Sequence, residues 1–237
     1  MLILSWNIMQ GGGRRMRDIL ATIEGHRADT VALSEVSATR HGELRAGLEA
    51  LGFAHVHAPA LPQGQRGVLI ASKSAFRKQP SRESHGLPHH RWAEVRFAQK
   101  RFTLVCTYFP DTGPAIRAFW PKAHEVCAKL SRDPVLLVGD LNSGQSALDA
   151  ERGTLSSNPW FTAMPLLGFT DLWRHRHRSR LEYSWYSKRG GADLNGFRID
   201  HAFGTDALRR RVRRCEYSHD ERTRGISDHS ALLVSVH

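Results

Sequence analysis

The sequence predicts a mixed α/β chain: two β-sheets packed face to face, with helices on their outer faces. Three observations predict it. Short apolar runs of strand length far outnumber runs with helical spacing. The later strands follow one another without helices between them, which does not suit a doubly wound parallel sheet. Four consecutive apolar residues, Val135 to Val138, read as a strand covered on both faces, as the inner strand of such a packing must be.

The elements follow in order. Leu2 to Trp6 is a strand that runs into Asn7, and Gly11 to Arg15 is a flexible basic loop. Met16, Ile19, Leu20 and Ile23 have helical spacing. Asp29 to Ser34 is a strand that delivers Glu35 at its end, and His41 to Leu51 is a helix stopped by Gly52. Phe53 to Ala58 and Gly67 to Ser72 are strands joined by a loop, and Pro80 to His90 is a polar exposed loop. Trp92 to Phe97 and Arg101 to Tyr108 form a hairpin around Gln99-Lys100. Pro114 to Leu130 is a core-facing helix that Pro121 should kink or restart. After the strand at Val135, Pro159 to Leu167 is a short helix. Leu181 to Tyr186, Phe197 to Phe203, Val212 to Tyr217 and Ser230 to Val236 are strands. With no linker, repeat or low-complexity segment, residues 1–237 read as one domain.

The chain has 237 residues, of which 41% are hydrophobic, so it is globular and long enough for a sizeable core. Its formal net charge is +11, and six of its 34 basic residues are lysine, leaving 28 arginines. Such a chain suits an anionic partner such as nucleic acid, a phosphorylated metabolite or an anionic membrane, unless a genome whose base composition favours arginine codons is the whole cause. Three well-separated cysteines, Cys106, Cys127 and Cys215, fit neither a disulfide framework nor a metal site and point to a reducing compartment. No segment suits a signal peptide or a membrane span, so a soluble cytoplasmic monomer is expected, with no membrane partner.

Polar residues recur where apolar strands end. Asn7, Glu35, Tyr108, Asp140 with Asn142, Asp200, and Asp228 with His229 all occupy such positions. Singly, each is as consistent with a turn cap or a solvated surface group as with a site. Gathered at one edge of a sandwich, the carboxylates would repel one another unless a cation sat among them. Oxygen ligands of this kind suit Mg²⁺, with Mn²⁺ as a substitute. His229 with Asp200 has the make-up of an imidazole with an orienting carboxylate.

Ser5-Trp6-Asn7, Ser34-Glu35, Tyr108-Phe109-Pro110, Gly139-Asp140-Leu141-Asn142, Arg198-Ile199-Asp200 and Ser227-Asp228-His229 run the length of the chain. In this order they resemble the endonuclease/exonuclease/phosphatase superfamily. The resemblance implies a four-layer αββα sandwich of two mainly antiparallel sheets and metal-dependent phosphoester hydrolysis. It implies that Glu35 holds the metal, with Asp228 and Asn7 beside it. It makes Asp140 the group that orients or deprotonates water, Asn142 and Tyr108 binders of the scissile phosphate, and His229 with Asp200 the stabiliser of developing charge.

Tyr108-Phe109-Pro110-Asp111 resembles the Tyr-x-Pro-Asn of the exonuclease III and abasic-site endonuclease branch, whereas phosphatase and DNase I-like members carry His at the first position. Gly168 to Arg174 and Tyr183-Ser184-Trp185-Tyr186 also look like that branch, which makes Trp185, Phe197 and Ile199 walls of a pocket for a flipped sugar. Ser34-Glu35-Val36-Ser37 departs from the branch's Gln-Glu-Thr-Lys, and Asp111 stands in place of an Asn. Arg14 and Arg15 are expected at the groove. Arg174, Arg176, Arg178 and Arg180 alternate, with His175 and His177 between, and would share one face of an extended backbone; they and a second run at Arg209 to Arg214 are expected to line the substrate's phosphate backbone, or else to form a solvated basic face. The function expected is a Mg²⁺-dependent DNA phosphodiesterase, a 3′-exonuclease or abasic-site endonuclease that would be nucleoid-associated when on DNA. The alternatives are a phosphatase or phosphodiesterase acting on a small or lipid phosphate, and a non-catalytic nucleic-acid-binding module.

Overall fold

The computed structural model describes residues 1–155, 159–187 and 194–237. Two βαβ units set its frame. In the first, β1 (Leu2–Asn7) and β2 (Thr30–Ser37) are parallel and joined through helix α1 (Met16–Gly25). Helix α2 (His41–Ala50) follows, then β3 (His55–His57) and β4 (Arg66–Ser72). A second unit begins after β5 (Arg77–Lys78) and β6 (Trp92–Phe97). There β7 (Phe102–Tyr108) and β8 (Val135–Asp140) are parallel and joined through α3 (Gly113–Leu130). The remaining strands are β9 (Phe169–Asp171), β10 (Trp185–Ser187), β11 (Asn195–Phe197), β12 (Asp200–Thr205), β13 (Val212–Ser218) and β14 (Ala231–Val236).

One sheet has the order β13-β14-β1-β2-β4-β3 and the other β5-β6-β7-β8-β12-β9, with β10 and β11 a separate ribbon. All the paired strands except β1 with β2 and β7 with β8 are antiparallel. Alternation along the strands makes the layers. Ile3, Leu104, Leu136 and Val138 point between the sheets. Leu4, Trp6 and Leu33 point outward under α1 and α2, and Val105, Val135 and Leu137 point outward under α3. The result is the four-layer αββα sandwich, and the Val135–Val138 run is covered on both faces.

The parallel pairs explain where polar groups gather. In each βαβ unit both strands end at the same pole, so Asn7, Glu35, Tyr108 and Asp140 arrive together. β12 is antiparallel to β8, so its first residue, Asp200, lies opposite Asp140. β14 is antiparallel to β1, which brings Asp228 and His229, just before its start, to the same pole.

Several elements differ from the sequence reading. Pro121 does not restart α3, which is continuous from Gly113 to Leu130. The carbonyl it strands belongs to exposed Arg117, four residues earlier, where water can satisfy it. The run 197–203 is two strands, because Arg198 turns inward between them to pair with Asp149 and Asp171. The expected strand over 181–186 forms only from Trp185, and that over 53–58 only at His55–His57. The loop at 80–90 is anchored: Leu87 is buried, and Arg82 grips buried Glu94 with two bonds of 2.7 Å. Residues 172–177 are helical, so the alternating arginines there do not share an extended face.

Candidate active site

Gly139 sets the end of β8. Its φ is +144°, and a Cβ there would lie 1.9 Å from the Thr107 carbonyl oxygen, so no other residue fits beside β7. Asp140 follows, buried, and Leu141 is anchored by its N–H to the Ile199 carbonyl at 2.9 Å. Asn142 has a left-handed φ of 45°, which Asn tolerates. Its N–H donates to Asp140 Oδ1 at 3.0 Å, and its amide donates to the Phe109 carbonyl at 3.1 Å.

Asn7 is the hub. Its Nδ2 donates to Asp140 Oδ2 at 2.9 Å and to Glu35 Oε1 at 3.0 Å, and lies 3.4 Å from His229 Nε2. Its Oδ1 accepts the Met9 N–H at 2.9 Å. The amide therefore turns nitrogen towards the centre, which suits a donor to carboxylates and not the oxygen ligand of a metal expected from the sequence. Glu35 sits at a bulge in β2 with φ of 58°, a left-handed conformation costly for a non-glycine residue. Gln10 N–H holds its Oε2 at 2.6 Å, and the Tyr108 hydroxyl lies 3.4 Å from its Oε1.

His229 Nδ1 is 2.8 Å from Asp200 Oδ2. The pair is held from several sides. Ser184 Oγ accepts the Asp200 N–H at 3.2 Å, and Ser227 Oγ accepts the His229 N–H at 3.1 Å while donating to the Asn7 carbonyl at 2.7 Å. Trp6 Nε1 donates to the His229 carbonyl at 3.1 Å. The serines and Trp6 were not singled out from the sequence as functional. Their only signal was a place beside the polar strand ends.

Electrostatics divides the acids by role. Burial, then the neighbouring Asp200, pushes the Asp140 carboxyl up to about 8. Burial alone would lower His229. The charge and hydrogen bond of Asp200, with Asp140 and Asp228 nearby, overcome it and raise the imidazole to about 10. Burial and the charges of Glu35 and Asp140 keep the Tyr108 hydroxyl protonated, well above its ordinary range.

Asp140, Asp200 and His229 offer ligand atoms within 4.8 Å of one another. These atoms already bond among themselves and to Asn7. Asp228 differs. Its Oδ2 accepts the Trp185 indole N–H at 3.1 Å, but its buried Oδ1 has no hydrogen-bond partner and lies 4.0 Å from His229 Nε2. A buried carboxylate oxygen without a donor is costly unless a cation meets it. Glu35 and Asp228 both line the same cleft, and their carboxylate oxygens are the hard donors that a divalent cation such as Mg²⁺ takes, so their chemistry fits a metal.

The cluster floors an open cleft of about 830 Å³ walled by Leu155, Trp185, Tyr186, Phe197 and Ile199. Trp185 and Phe197, one from each ribbon strand, have ring centroids 5.9 Å apart. The expected arginines are not among its walls. Arg14 is exposed on a short turn. Arg15 spends its guanidinium on the Met9 carbonyl at 2.6 Å and on the Ile226 carbonyl, lacing two site loops together. Arg174 is an internal clamp, 2.7 Å from Asp149 and 2.8 Å from the Arg178 and Arg180 carbonyls.

A family model described as the endonuclease/exonuclease/phosphatase family matches residues 4–229. The chain belongs to this family. Among solved structures, an AP endonuclease from Archaeoglobus fulgidus is similar at a TM-score of 0.84, with 19% identity, 100% of this chain and 99% of that one covered. A 3′ phosphatase from Neisseria bound to a product DNA hairpin is similar at 0.83, with 19% identity and the same coverage. The AP endonuclease LMAP from Leishmania major follows at 0.81, with 17% identity, 100% of this chain and 87% of that one covered. These likenesses show the fold. No curated protein sequence matches the chain.

Proposed function

We propose that the chain, as one catalytic domain, is a divalent-metal-dependent phosphodiesterase that cuts DNA, as a 3′-exonuclease or abasic-site endonuclease. The observation that carries this reading is the cluster at the floor of an aromatic-walled cleft, in which Asn7 donates to both Asp140 and Glu35, Asp200 holds His229, and His229 Nε2 lies 3.4 Å from the Asn7 amide nitrogen. The DNA-processing enzymes among the similar structures support it, as does the chain's net positive charge.

In this reading Asp140, made basic by burial, takes a proton from the attacking water. The water oxygen bonds to phosphorus, and the ester bond on the far side breaks. His229, held cationic by Asp200, donates to a phosphate oxygen as negative charge builds there. Tyr108 keeps its proton and donates to another oxygen, and the second amide proton of Asn142 does the same. Glu35 and Asp228 would hold a divalent metal, Mg²⁺ or Mn²⁺, which when bound would supply positive charge against the charge developing on the phosphate. Trp185, Phe197 and Ile199 shape an apolar wall against which a sugar lacking its base packs.

The test is a substrate panel with labelled duplex, single-stranded and abasic-site DNA beside phosphoinositide and sphingomyelin. The reading predicts turnover of DNA alone. Turnover of the lipids with none on DNA would make the chain a lipid phosphoesterase. The absence of any hydrolysis, with DNA still bound, would make it a binding module.

A further inference from the structure

The second arginine run does not reach the cleft. Val212 pairs with Val236, the last residue of β14, whereas His229 lies just before that strand begins. Six residues of strand, at about 3.3 Å each, separate the two ends. Arg211 confirms the placement, since its Nη2 donates at 2.7 Å to the carbonyl of Lys100, in the turn at the far end of β7 from Tyr108. The cluster therefore occupies the pole opposite the catalytic residues.

That pole holds a small cavity of about 280 Å³ lined by Leu172, His175, Arg176, Arg209 and Val212. Three of its five walls are basic and none is acidic. Arg209 Nη1 lies 3.4 Å from His175 Nε2 with no carboxylate between them. Arg176 donates to the Val212 carbonyl at 2.6 Å, which fixes its head at the cavity. Of the acids nearby, Asp206 lies 3.4 Å from Arg209 Nε, so Arg209 Nη1 is the part of that guanidinium that faces His175, and Glu216 pairs with Arg214 at 2.8 Å. A bulge in β13 brings Arg213 and Arg214 outward in succession. The exposed side chains of Arg210 and Arg213 have no ion-pair or hydrogen-bond partner among the described residues.

We propose that this pole is a second phosphate-binding surface, centred on His175, Arg176 and Arg209 and continued by Arg210 and Arg213, that holds the backbone of nucleic acid outside the cleft. Charge on an edge strand also protects against edge-to-edge association. That need is met by one or two exposed cations on β13. It does not call for a cavity with three basic walls on the neighbouring helix and turn. Phosphate oxygens fill such a space, accepting from both guanidinium groups and the imidazole at once. Nucleic acid is the source favoured, which rests on the DNA reading of the cleft. A surface of this kind would hold one segment of a strand while another segment is cut.

The test uses the full chain carrying Arg209→Glu, Arg210→Glu and Arg213→Glu together, with a Gln set at the same positions as the milder version. Binding of a labelled duplex is followed by anisotropy across a salt series. Each lost phosphate contact removes about 0.9 from the log–log salt slope, so the Glu set should lower the slope by roughly 2.5 and weaken binding at least about tenfold at low salt. The Gln set should move both in the same direction. Hydrolysis of a short oligonucleotide that occupies the cleft alone should be unchanged. An unaltered slope in both sets overturns the proposal. So does weakened binding to anionic vesicles with duplex binding intact. A parent chain that cuts no DNA yet shows the slope change would defeat the reading of the cleft and leave this surface standing.

Discussion

In the proposed mechanism Asp140 is the base, and it depends closely on its neighbours. Its carboxyl is buried, faces Asp200 across the β8–β12 ladder, and is held by the Asn7 amide. Asp140→Asn keeps the shape and removes the base, so cleavage should fall roughly 10²- to 10⁴-fold while DNA binding survives. His229→Ala should do the same, since Asp200 would then face a phosphate with no cation between them. Cleavage persisting in both variants would contradict the roles assigned. Gly139 is the residue that lets Asp140 arrive where it does. Gly139→Ala should cost about 2–4 kcal/mol in urea unfolding, because its Cβ meets the Thr107 carbonyl and its φ suits only glycine.

At the scale of elements, the strand ends were legible in the sequence and the segments between them were less so. Val135 to Val138 and the polar residues that follow read correctly because apolar runs and turn residues are local signals. The break at Arg198 was not legible, since it depends on Asp149 and Asp171 from elsewhere in the chain. That Arg174, expected to contact the substrate's phosphates, is instead an internal clamp was not legible for a similar reason: nothing near it in sequence shows that Asp149 lies beside it. Burial alone would raise the Asp171 carboxyl, but Arg198 and His201 outweigh it and hold it well below the usual carboxylate range. A carboxyl depressed in the folded state contributes stability at neutral pH that is lost as pH falls below its unfolded value of about 3.9. Arg198→Met removes that partner, and it should destabilise the chain by about 3–5 kcal/mol at pH 7 and flatten the loss on acidification. Equal stability of the two proteins across an acid titration would show that the ion network is dispensable. Pro121 makes the opposite case. Pro121→Ala should raise stability by about 1–3 kcal/mol in urea unfolding, since it restores a helix hydrogen bond on an exposed face. No gain would mean that the ring's packing offsets the missing bond.

For the whole molecule, the two poles differ in chemistry. At one, four strand ends and two strand starts deliver acids, amides and an imidazole into a cleft. At the other, arginine dominates. The +11 charge was visible in the sequence, but its distribution was not, because face and pole are set by register and by helix where extended chain was expected. None of the helices among the described residues is long and apolar enough to cross a membrane. The central claim is that the strand-end cluster, with a divalent metal, breaks phosphodiester bonds in DNA. The most direct test follows labelled abasic-site and 3′-ended duplexes with the parent chain and Asp140→Asn, in Mg²⁺ and in EDTA. Cleavage by the parent in Mg²⁺, with none in EDTA and at least about 100-fold less by the variant, is the result predicted. Cleavage that survives EDTA, or that Asp140→Asn performs at close to the parent's rate, would contradict it.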